Sequence, residues 1–190
     1  MKTKMTILLL AGLSFSLLVN AQFTPGIKGG INFAHLTGFS GNDRVGIHAG
    51  FFLHHTINAN WCVQPEVLYS MEGQKYFNSG EERTLALNYV QVPIMIQYYP
   101  IRHLYFEAGP QFGLLLSATD KGSSQKINAK SDFTSGQIGL NIGAGVHLTR
   151  EVALYGRYCF GLTDVSKFDN IIDHSQVGQL GIAVRLNQTR

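Results

Sequence analysis

From residue 26 onward the apolar residues of this chain recur at every second position, and the charges inside those stretches keep to the opposite phase. A period of two belongs to β-strands, whose successive side chains leave opposite faces. Eight such segments can be read, roughly 26–36, 45–57, 61–72, 87–98, 104–117, 137–148, 152–163 and 177–186. The first runs Ile27, Gly29, Ile31, Phe33 on one phase and the fourth Val90, Val92, Ile94, Ile96, Tyr98. The opposite phase carries Lys28, Glu66, Glu72, Glu107, Arg157 and Arg185, with Gln64, Gln91, Gln97, Gln111, Gln137, Asn32 and Asn141.

Two all-β folds use such a pattern: a soluble barrel or sandwich around an apolar core, or a barrel turned inside out in lipid. The polar phase separates them. Facing water it would be rich in Lys, Glu and Thr, yet it is crowded with glycine, including Gly30, Gly50, Gly109, Gly143, Gly145 and Gly181. Glycine alternating with Phe52, Tyr105, Tyr155 and Arg157 suits the cramped interior of a small barrel. Charged residues make up only 14% of the chain, against a usual figure of about 25%. Each segment reaches the length of about 9–11 residues that a tilted strand needs to cross a bilayer. The expected fold is an eight-stranded antiparallel up-and-down transmembrane β-barrel, its interior holding a polar network of Lys28, Glu66, Glu107, Arg157 and Arg185.

Connection lengths support this. Those at 58–60, 99–103 and 149–151 are short, and the others are longer and polar. This is the asymmetry between periplasmic turns and extracellular loops in outer-membrane barrels. Trp61, Tyr69, Tyr98, Phe33 and Phe133 near segment ends are candidates for interfacial girdles. Pro65, Pro93 and Pro110 fall inside strands, where each lacks a ladder donor, and β-bulges are the expected repair.

Met1 to Ala21 is read separately: Lys2 and Lys4, an uncharged run to Val19, and small Ala21 make a cleavable export signal too short to span a membrane. The domain then covers 22–190 with Gln22 first. Loss of Lys2 and Lys4 takes the net charge from +3 to +1, which leaves no nucleic-acid footprint. Export exposes thiols to oxidation, but Cys62 and Cys159 lie in distant strands and are expected as two free, buried thiols.

Chemistry is sparse. His54 and His55 face opposite ways, and His48 and His54 stand roughly 20 Å apart on one face, so no metal site is expected. Gly143-Ala144-Gly145 precedes no helix and is not a dinucleotide loop. Asp164, Asp173, His174 and Ser175 are the only candidates for a nucleophilic site, and adjacent residues seldom form one. No catalytic residue and no cofactor is assigned.

Gly26-Ile27-Lys28-Gly29-Gly30-Ile31-Asn32, Gln64-Pro65-Glu66-Val67-Leu68-Tyr69-Ser70, Leu87-Asn88-Tyr89-Val90-Gln91-Val92-Pro93, Glu107-Ala108-Gly109-Pro110-Gln111 and Leu140-Asn141-Ile142-Gly143-Ala144-Gly145 resemble the PorT-like outer-membrane β-barrel family. The resemblance implies an integral barrel of the Gram-negative outer membrane, and for some members a link to a protein-secretion apparatus. The expected role is therefore structural or interactive and not enzymatic. Outer-membrane lipid surrounds such a barrel, with a protein partner at the extracellular loops or periplasmic turns. A lipid-modifying enzyme and a small-solute channel are the competing classes.

Overall fold

The computed structural model describes residues 23–36, 41–78, 81–122, 126–128, 130, 134–163 and 175–186. Residues 1–21, Phe133, Asp164, Asp173 and His174 lie outside them. Nine strands follow in chain order: β1 (Thr24–Leu36), β2 (Gly41–Thr56), β3 (Trp61–Asn78), β4 (Glu81–Ile101), β5 (Leu104–Lys121), β6 (Lys126–Asn128), β7 (Gly136–His147), β8 (Val152–Gly161) and β9 (Ser175–Arg185). Eight of them close a ring of antiparallel neighbours, with β1 meeting β9 and β4 meeting β5.

Two of the short connections are built by side chains that replace ladder partners. Asn58 Oδ1 accepts the backbone N–H of Asn60 and of Trp61, both at 3.0 Å. Thr149 Oγ1 does the same for Glu151 at 3.2 Å and Val152 at 3.0 Å. Such Asx- and ST-type turns let a strand reverse with its backbone groups satisfied. They mark one rim of the barrel, here the turn end; the opposite rim is the loop end.

The two faces of the wall are inverted relative to a soluble protein. Phe51 is 69% exposed on the outside whereas Glu66 is 2% exposed on the inside. Ile47, Val67, Ile96, Phe106, Ile142 and Leu180 share the outer face, and nothing charged interrupts them. At the turn end Trp61 lies opposite Tyr98, ring centroids 4.9 Å apart, an amphipathic pair placed where an interfacial girdle belongs.

Three expectations need correction. The prolines do not bulge: Pro93 faces Gln111 and Ile96 faces Ala108, the same spacing on both strands, and Pro65 and Pro110 likewise keep register. Each proline forfeits at most one ladder hydrogen bond, which an unbroken closed sheet tolerates. Register shifts occur elsewhere, between Asp43 and His48, Asn88 and Tyr89, and Tyr98 and Ile101.

Secondly, β3 and β4 continue past the expected ends at 72 and 87 as a hairpin reaching Asn78 and Glu81. Its residues lose the apolar alternation because this part rises clear of the lipid-facing band. Gly73, with φ of 127°, allows the bend, and a Cβ there would lie 2.0 Å from the Leu85 carbonyl. An Arg83–Asp120 ion pair of 2.9 Å and a Tyr76 hydroxyl donating to Asp120 at 2.7 Å tie the hairpin to β5.

Thirdly, part of the long connection after 117 is structured. β5 runs on to Lys121 and pairs with β6, Lys121 facing Lys126.

Inside the wall, β1 and β9 approach closely where Gly30 faces Gly181. A Cβ on Gly30 would meet the Leu180 carbonyl oxygen at 2.0 Å, whereas one on Gly136 would meet nothing within 4 Å. Gly30→Ala should therefore lower stability by about 1–3 kcal/mol through overpacking. Gly136→Ala should leave the urea midpoint, read from the heat-modifiable gel shift, unchanged; equal midpoints for both variants would show that the close approach is absent.

Candidate functional site

The interior side chains form three storeys along the barrel axis. The middle one is ionic. Arg157 donates through Nε to Glu107 at 2.8 Å and through both terminal nitrogens to Glu66 at 2.9 Å. Lys28 Nζ reaches the same Glu66 at 3.0 Å and lies 4.0 Å above the Tyr155 ring. Gln64 donates to Glu66 at 2.9 Å and Gln97 to Glu107 at 3.1 Å. Two cations and two carboxylates cancel, and the bidentate Arg fork is the strong form of such a contact.

Register explains the encounter. Glu107, Gly143 and Arg157 are lateral neighbours on β5, β7 and β8. Gly143 has no side chain to block the guanidinium as it crosses β7; a Cβ there would come within 3.2 Å of Glu107 Oε1. Charges this deep are costly unless paired and hydrogen-bonded, and these four side chains are.

Of the five interior residues read from the sequence, the structure joins Lys28, Glu66, Glu107 and Arg157 and leaves Arg185 apart. Arg185 stands at the turn end, donating to Tyr99 Oη at 3.1 Å and to His147 Nε2 at 3.0 Å. Tyr99 stacks on His147 with centroids 5.9 Å apart, and Tyr99 and His147 were not among the residues read from the sequence.

The third storey, toward the loop end, centres on Glu72. It accepts from Gln91 at 2.5 Å, and from Ser70 and Ser175 at 3.1 Å. Arg44 bonds the Glu72 backbone carbonyl. Asn32 bridges Ser70 at 2.9 Å and His48 at 2.7 Å, and His48 in turn meets the Tyr155 hydroxyl. Ser175 is thus a buried donor to a carboxylate rather than an open nucleophile. An apolar lid of Leu85, Leu87, Tyr89, Leu115 and Ala118 packs above.

His48 and His54 serve separate hydrogen bonds, the second to Gln64 at 3.3 Å. Among the described residues no three His, Cys, Asp or Glu side chains gather as metal ligands. Cys62 and Cys159 are free and buried.

A closed eight-strand barrel with an apolar exterior and a polar, charge-compensated interior defines an integral outer-membrane β-barrel protein. Residues 14–167 match the family described as outer membrane protein beta-barrel domain, and the chain belongs to that family. Solved structures share the architecture. Neisserial surface protein A superimposes with a TM-score of 0.60 at 14% identity, over 86% of this chain and 97% of its own. Ail, the attachment invasion locus protein of Yersinia pestis, gives 0.53 at 15% identity, over 86% and 99%. OprG of Pseudomonas aeruginosa gives 0.50 at 10%, over 88% and 98%. No curated protein matches in sequence. At these identities the likeness concerns the fold.

Proposed function

We propose that the protein is a non-enzymatic display scaffold: a plugged barrel in the outer membrane that presents its loop end to the outside of the cell, where it meets a protein partner. The observation carrying this reading is the middle storey. The Lys28, Glu66 and Arg157 side chains there are at most 2% exposed and bonded to one another across the lumen, so solute passage would require breaking several charge-assisted bonds. The raised hairpin of β3 and β4 and the β5–β6 pair lie on the side the reading assigns to the exterior. A role beside a protein-secretion or envelope-assembly apparatus is the form the PorT-like resemblance suggests. The solved complex of Ail with the heparin analogue sucrose octasulfate gives a precedent for ligand engagement by a barrel of this architecture.

Residues 1–21 would direct export and be removed in the course of it. Trypsin added to intact cells should cut at Lys121 or Lys130, both exposed, and spare Arg150 in a turn. Mass spectrometry of the same digest should find Gln22 as the first residue. Cutting confined to Arg150 would invert the topology. Photo-crosslinkers at Lys121 or Lys130 should capture a discrete protein in living cells, and steady ion conductance in planar bilayers would instead favour a channel.

A further inference from the structure

The turn end of the lumen opens into a cup of about 760 Å³ whose wall carries Arg102, Arg150, Arg185, His54, His103 and His147. Arg102 and Arg150 stand on two different turns, and Arg185 comes from β9 at the inner end. Among the described residues no carboxylate lines the cup, and Glu151 is the one that lines the narrow crevice above it. Among the described residues none of the three arginines lies in a salt bridge. The contrast with the middle storey is sharp: there every charge is cancelled, here an excess of positive charge faces an open cavity.

A second observation points to a ligand. Arg185 spends only one of its terminal nitrogens, Nη2, on Tyr99 and His147. Among the described residues its Nε and Nη1 donors have no side-chain acceptor, and guanidinium groups match phosphate oxygens bidentately. The volume falls within the range of about 300–1,000 Å³ of small-molecule sites, larger than a bare ion needs.

We propose that this cup binds a phosphate-class oxyanion, with Arg185 and His147 at its base and Arg102 and Arg150 closing on it from the turns. The anion is either the headgroup of a phospholipid in the adjoining leaflet or a soluble phosphate compound.

The full chain, folded in a neutral detergent, is titrated calorimetrically with inorganic pyrophosphate. Saturable binding is expected, weakened at least about tenfold by Arg185→Gln, the loss of one charge-assisted contact. The double variant Arg102→Gln, Arg150→Gln alters only exposed turn residues, keeps the gel shift of the folded barrel, and should weaken binding similarly even if Arg185→Gln does not fold. Lys121→Gln at the far end should leave binding unchanged. In a second arm, phosphatidylcholine nanodiscs with and without phosphatidylglycerol are compared by native mass spectrometry. A phosphatidylglycerol adduct held by wild type and lost in the double variant identifies a headgroup; pyrophosphate binding without that adduct identifies a soluble ligand. Binding of neither, or a loss on Lys121→Gln equal to that of the arginine variants, overturns the proposal.

Discussion

Arg157→Met should cost about 3–5 kcal/mol of stability, the usual penalty for removing one partner of a buried ionic group. Three hydrogen bonds go at once, and Glu107 keeps only Gln97 as a side-chain donor. Most of the loss is the stranded negative charge rather than the missing contact. The double variant with Glu107→Gln should accordingly be less destabilised than the sum of the two single changes. Arg157→Lys, which keeps the charge but not the fork, should fall between wild type and Arg157→Met. Urea midpoints of the chain folded into lipid vesicles give the comparison. If Arg157→Met unfolds at the wild-type midpoint, the middle storey does not hold the barrel together.

Ile142→Arg should be the next most damaging change. Ile142 is 47% exposed on the outer face of β7 near mid-strand, where an arginine facing lipid costs about 2–4 kcal/mol. Leu148 lies on the same face at the turn end and is as apolar and, at 59%, more open. There Leu148→Arg should cost only about 0–1 kcal/mol, since the guanidinium reaches the interface. Depth dependence is the point of the pair: a protein whose outer face met water would tolerate both alike. Equal midpoints for the two variants would remove these residues from a membrane.

The strand phases were legible because lipid and lumen impose opposite demands on neighbouring residues. Ile142 and Asn141, adjacent in sequence, could not exchange environments, and a period of two records that. The meeting of Glu66 with Arg157 was only half legible. Both lie on the interior phase, but their partnership depends on register across the ring and on Gly143 standing between Arg157 and Glu107, which no local pattern reports. Arg185 shared the same phase and still fell into a different storey, because phase says which face a residue takes and not how far along the axis it lies. The extension of β3 and β4 leaves no period of two for a related reason. Beyond Glu72 the hairpin has water on its outer side, so Gln74, Lys75 and Tyr76 no longer alternate as the lipid-facing stretch does. The prolines keep register because each lacks a single donor and the ladder on either side of it is intact.

Most neighbouring strands in the ring are also neighbours in the chain. Apart from β5 and β7, which only the short β6 separates, the exception is the seam where β1 meets β9, with Gly26 opposite Arg185 and Ile31 opposite Leu180. Hairpins close short loops and form early, while joining the two ends of the chain must overcome a larger loss of chain entropy and contributes nothing until both strands are in place. Assembly of this barrel therefore has one slow step, and it belongs to the last strand made. Until β9 arrives, the free edges of β1 and β8 are exposed to lipid that offers no hydrogen bonds. A delay in the docking of β9 would hold the chain in its most aggregation-prone form, and a short peptide copying β9 should compete for the edge of β1 during that interval and at no other time.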